Sequence, residues 1–140
     1  MKLSLKSLAL VASILFTSPA FAEDNSYPHL DVLISTTTSV IGQKLEYPGG
    51  QAKVTAAIVT MQPGESTGLH KHNVPLFAYI LEGELSVDYG ADGTNVYKVG
   101  DSFIEAFLTE HNGTNTGDTI VRILAVFAGA TGIKNTVAAE

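Results

Sequence analysis

From Lys53 onward, short apolar runs alternate with turn residues, and the pattern predicts strands. Val54 to Met61 is rich in β-branched residues and stops at Pro63-Gly64, while Phe77 to Leu81 is apolar and stops at Glu82-Gly83. Leu85-Ser86-Val87-Asp88-Tyr89 alternates strictly, the period of a half-buried strand. Gly90-Ala91-Asp92-Gly93 turns the chain into Asn95 to Val99, and Gly100-Asp101 turns it again before an extended run from Phe103. Ile120 to Phe127 closes the series after Gly117-Asp118. Strands at a spacing of roughly 8–12 residues, without a convincing helical stretch, predict an all-β sandwich or barrel over residues 51–129. Residues 23–50 read as an arm with a hydroxyl-rich run, Ser35 to Ser39, and a break at Pro48-Gly49-Gly50. Residues 130–140 read as a tail, either surface structure or an oligomer contact.

Residues 1–22 follow a different pattern. Lys2 and Lys6 precede an apolar stretch, Leu8 to Phe16, and Ala20-Phe21-Ala22 supplies a small-x-small cleavage site. This is a secretory signal, too short in its apolar part to span a membrane. It lacks an Arg-Arg pair, which points to export as an unfolded chain. Cleavage after Ala22 would remove two of the eight basic residues and none of the fourteen acidic ones, moving the formal charge from −6 to −8 (6 − 14). An acidic exported protein, periplasmic or extracellular, is not expected to bind nucleic acid or to stay in the membrane. The chain has no cysteine, which removes thiolate as ligand or nucleophile and leaves the core to hold by burial alone.

Three of the four histidines fall in two segments: Gly64-x5-His70-Lys71-His72, then Gly100-x10-His111-x3-Asn115. Histidines at i and i+2 of a strand share a face, because successive side chains alternate. His111, from a separate β-patterned segment, can close a three-nitrogen site on a divalent metal. The bland alternative is three hydrogen-bonded surface histidines without metal.

With strands and histidines placed, the chain resembles the cupin superfamily, small double-stranded β-helix or jelly-roll barrels. The first cupin motif, G-x5-H-x-H-x3/4-E-x6-G, is matched by Gly64, His70, His72 and Gly83, and the second, G-x5-P-x-G-x2-H-x3-N, by Gly100, His111 and Asn115. The motifs and their flanking strands cover about residues 52 to 128, and Tyr79 to Leu85 resembles a stretch of the small exported cupins. Two positions depart from the pattern. The acidic ligand position is Leu76, with only Phe77 one residue on, and Pro-x-Gly is replaced by Ala106-Phe107-Leu108. What remains is similar to the three-histidine cupins, a group that includes iron-dependent dioxygenases. The resemblance also implies a homodimer.

Three neutral imidazoles leave a bound cation its full formal charge and several open positions. Zinc would then activate a water, and iron(II) would take substrate and O₂ side by side. The residues leave Fe, Zn, Cu, Mn and Ni open, while affinity order in an exported setting favours Zn²⁺ or Cu²⁺. Glu105 shares a period-two face with Phe103 and Phe107 and is a candidate base or fourth ligand. Its local pattern favours a solvated strand edge or an ion pair with Arg122 or Lys98. Asn115, Gln62 and Tyr79 are candidate polar groups around the ligands, Asn115 as the residue that orients His111 or a bound water. Leu76, Phe77 or Ala78, and Ile80 would form walls suited to a small, partly apolar molecule. The expected function is metal-dependent chemistry on such a molecule, with dioxygen-dependent oxidation leading. A non-catalytic metal- or ligand-binding module and a metal-dependent lyase or isomerase are the alternatives.

Overall fold

Apolar residues at alternate positions sort the strands onto facing sheets in the structure, a computed structural model that describes residues 28–139. The expected export signal at 1–22 lies outside the described residues. The chain divides into two units, Met1–Asp31 and Val32–Glu140. In the first, described residues 28–31 form no regular element, and exposed His29 places Nε2 3.0 Å from the Asp31 carboxylate. The second unit holds nine strands: β1 (Ala52–Met61), β2 (His70–His72), β3 (Leu76–Glu82), β4 (Glu84–Asp88), β5 (Thr94–Lys98), β6 (Ser102–Ile104), β7 (Asn112–Asn115), β8 (Val121–Ala130) and β9 (Thr136–Ala138). One 3-10 turn, Gly90–Asp92, joins β4 to β5.

One sheet runs β1-β8-β3-β6, a second runs β5-β4-β7, and β2 pairs with β9. Every pairing is antiparallel, and bridges at Ser66–Thr114 and His70–His111 tie the segment around β2 to the β7 side. This is the jelly-roll barrel implied by the resemblance. Parity decides what each strand buries: Leu76, Ala78 and Ile80 of β3, Leu85 and Val87 of β4, and Ile123 and Ala125 of β8 face inward. Tyr97 stacks on Phe103 at 3.7 Å between ring centroids, and these rings pack with Met61, Ile80 and Val121 in the core. β1 is the exception. It is an edge strand whose Val54, Ile58 and Val59 are exposed, so its β-branched composition reflects strand propensity more than burial.

Asn112-Gly113 lies within β7, and the chain turns only after Asn115, as the motif spacing requires and hairpin statistics do not. The tail is surface structure, mostly exposed, and its residues return as β9 beside the histidine strand.

The turn before His111 survives without its proline and glycine. Leu108 stands where the motif has glycine and holds φ 57°, the left-handed conformation that glycine adopts without penalty. Its N–H donates to the His72 carbonyl at 2.7 Å, which fixes the turn against β2. A left-handed L-residue costs about 1–2 kcal/mol. Leu108 is 64 % exposed and gives little packing in return. Leu108→Gly is therefore expected to raise stability by about 0.5–1 kcal/mol, measurable as a higher urea midpoint at unchanged slope.

Candidate metal centre

The three histidines converge for reasons of strand geometry. His70 and His72 lie two residues apart on β2 and point to one face. His111 is bridged to His70 by two backbone hydrogen bonds, the His70 N–H donating at 3.0 Å and the His111 N–H at 2.9 Å. Directly opposed residues of an antiparallel pair project to the same side. The ring centroids are consequently 4.5 to 5.0 Å apart, and one ligand nitrogen from each ring lies within 4.8 Å of the others.

Hydrogen bonding selects which nitrogen each ring presents. His70 Nδ1 is 2.9 Å from the Gly68 carbonyl and His111 Nδ1 is 3.0 Å from the Thr109 carbonyl. A carbonyl only accepts, so both Nδ1 atoms carry the proton and both Nε2 atoms keep a lone pair. His72 Nδ1 meets the Thr136 hydroxyl of β9 at 2.9 Å. Burial holds all three imidazoles below their ordinary pKa of 6.5, and for His72, with His111 and His70 alongside, the value falls to about 3. The rings are thus neutral at pH 7. Buried His111 Nε2 has no hydrogen-bond partner, an orphaned acceptor in a protein interior. Three converging ring nitrogens, one of them otherwise unsatisfied, fit a divalent transition metal.

Above the histidines opens a cavity of about 370 Å³. Thr67, His70, His72, Glu105, His111 and Thr136 are its polar lining, and the remaining walls are apolar, among them Leu69, Leu76, Phe103 and Phe127. Among the described residues, no lysine or arginine lines it.

Several sequence expectations are corrected here. Glu105 is neither solvated nor paired with Arg122 or Lys98: it is 5 % exposed, it faces the cavity, and Lys98 pairs with Glu84 instead. Burial pushes its pKa up to about 7, against the lowering effects of the Tyr89 hydroxyl, the Ala106 N–H and His70. Asn115 does not orient His111. Its amide donates to the Met61 and Thr119 carbonyls at 3.0 and 2.8 Å, and its oxygen accepts from Gly117 N–H, so it ties β7 to the following turn. Gln62 is exposed beyond the end of β1, and Tyr79 has the opposite parity to Leu76 and Ala78 on β3; neither lines the cavity. Among the expected walls, Leu76 and Ala78 are present, whereas Ile80 lies in the core and Phe77 faces away.

Thr136 carried no local signal, because it meets His72 only through the β2–β9 register. Replacing it with valine keeps the shape and removes the oxygen. Partners of this kind are worth about 10–100-fold in metal affinity. Thr136→Val is expected to weaken metal binding by about 10-fold and Thr136→Ser to restore it, read by chelator competition.

A jelly-roll barrel with three inward imidazoles defines a metal-binding protein, and sequence comparison names its family. The profile of the cupin domain matches residues 57–127, half of the chain, and the chain belongs to that family. Among solved structures, the formate complex of Lactobacillus farciminis oxalate decarboxylase is similar at 28 % identity and a TM-score of 0.54, over 63 % of this chain and 27 % of that one. A Bacillus subtilis oxalate decarboxylase is similar at 27 % identity and a TM-score of 0.52, over 61 % and 23 %. The DMSP lyase DddQ from Ruegeria pomeroyi shares the fold at 21 % identity and a TM-score of 0.52, over 61 % and 42 %. The chain therefore spans about a quarter of the length of the decarboxylases. No curated protein sequence matches it.

Proposed function

We propose that this protein is an exported, metal-dependent oxidoreductase acting with dioxygen on a small, partly apolar organic molecule. The observation that carries the reading is the convergence of His70, His72 and His111 at an apolar cavity of about 370 Å³, a volume suited to a small ligand. Bound there, a redox-active divalent ion would supply Lewis acidity and one-electron chemistry. The chain's own contribution is to hold the His70 and His111 rings in one tautomer, keep all three rings neutral and screen them from bulk water with Leu76 and Phe127. With no cation among the described wall residues, a free dianion such as oxalate finds no counter-charge there beyond the ion itself, so a neutral or singly charged substrate fits better. The bare edge of β1 supports assembly of two copies as part of the same reading.

A lyase is the second reading, favoured by the buried carboxyl of Glu105 beside the histidines, which is poised near neutrality as a base. Elemental analysis of the exported fraction, followed by O₂-uptake assays across small organic substrates, separates the two. Iron or copper with substrate-dependent O₂ consumption supports the first reading. Turnover without O₂ transfers the assignment to the second, and failure to bind Fe²⁺, Zn²⁺ or Cu²⁺ removes both.

A further inference from the structure

Glu105 follows β6 directly, and its N–H donates to the Leu76 carbonyl at 2.9 Å, which sets the two residues side by side across neighbouring strands. Both side chains line the histidine cavity. One carboxylate oxygen is already committed, accepting the Ala106 N–H at 2.7 Å. The other lies 3.9 Å from His111 Nε2, the buried nitrogen that has no hydrogen-bond partner. That separation is too long for a hydrogen bond, so the two groups do not satisfy one another. It is a natural separation for two atoms bound to one ion. Donors about 2.1 Å from a common metal are about 3 Å apart when adjacent and about 4.2 Å apart when opposite.

Charge leads to the same place. Three neutral imidazoles would leave a dication uncompensated in a largely apolar cavity, where isolated charge is costly. Among the described residues, Glu105 is the only acidic one lining that cavity. We propose that Glu105 is the fourth ligand of the metal centre, a carboxylate carried one strand over from Leu76, the position at which the first motif has its acid. The proposal rests on the metal-dependent reading above and deepens it. With the carboxylate on the β6 side, the β3 side of the site is left to Leu76 and is apolar where a substrate approaches. The ion itself then carries less net positive charge.

The test compares the mature wild-type protein with Glu105→Gln, an isosteric change that keeps an acceptor for the Ala106 N–H. Zn²⁺ and Co²⁺ affinities are measured by chelator competition, the Co²⁺ visible spectrum is recorded, and metal-free melting temperatures are compared. A ligand role predicts an affinity loss of at least about 100-fold, since even partners that only orient a ligand are worth 10–100-fold. It also predicts an altered Co²⁺ spectrum with no loss of metal-free stability. Equal affinities and spectra overturn the proposal while leaving the three-histidine site standing, and lost turnover at unchanged affinity assigns Glu105 as a base instead. Absence of binding in wild-type protein overturns the proposal and the functional reading together. Should Glu105→Gln fail to fold, a crystal structure of Zn²⁺-loaded wild-type protein decides the matter by whether a Glu105 oxygen lies within about 2.2 Å of the ion.

Discussion

Replacing His111 with alanine is expected to lower metal affinity by at least about 100-fold and to abolish the thermal shift that added metal produces. His111 is 1 % exposed, its Nδ1 is held by Thr109, and its Nε2 is the orphaned atom of the site. A ligand that binds only the folded state stabilises it by about 2.7 kcal/mol at a hundred times its Kd. Saturating Zn²⁺ should therefore raise the wild-type melting temperature by several degrees and leave that of the variant unmoved. An equal shift in both proteins would place the ion elsewhere. The pH dependence follows from the direction of the shifts. Below the ordinary value of 6.5 the unfolded imidazoles take up protons while the folded ones, held lower by burial, do not. Metal-free stability is thus lost as pH falls below 6.5, for His72 down to about 3. Glu105 acts in the opposite sense: between 4.5 and about 7 only its folded form is protonated, and its contribution is lost as pH rises through that window. Three histidines outweigh one carboxyl, so the net slope below pH 6.5 is positive, and His111→Ala should flatten it.

Gly83→Ala is expected to cost about 2–5 kcal/mol, a large part of the 5–15 kcal/mol typical of a whole domain. Gly83 links β3 to β4 at φ 79°, a conformation that costs an L-residue about 1–2 kcal/mol. An added Cβ would also fall inside van der Waals contact of the Ile120 carbonyl oxygen and stand 2.9 Å from Val121 Cγ2. Neither neighbour can yield easily, since one is backbone and Val121 is fully buried on β8. Such overlap typically adds 1–3 kcal/mol. Gly90 is the internal control: it holds φ 63° with nothing within 4 Å of an added Cβ, so Gly90→Ala should show the backbone term alone. Urea midpoints of the two variants separate strain from collision, and equal midpoints would mean that the β3–β4 corner relaxes.

Features that are local and periodic are legible in the sequence. Two histidines at i and i+2 require only a strand to share a face, and Leu85 to Tyr89 announces its strand by strict alternation. Surroundings that come from distant register are not legible there. Glu105 was correctly placed on the face of Phe103, but whether that face was solvent or cavity depended on the pairing of β6 with β3. Tyr79 failed on parity, because β3 turns Leu76, Ala78 and Ile80 inward and Tyr79 away. Asn115 lies at the motif spacing from His111, yet its amide is taken up by Met61, Gly117 and Thr119. Thr136 lies 64 residues from His72, with nothing in its own neighbourhood to suggest a role.

The pairing of β2 with β9 also orders events in time. A chain made from its first residue onward has His70, His72 and His111 in hand before Thr136 exists, and until β9 docks, the His72 ring is free to offer either nitrogen to a passing ion. Contacts this distant in sequence form late, after the loops between them have closed. The histidine site is thus complete only once the strand nearest the end of the chain has docked.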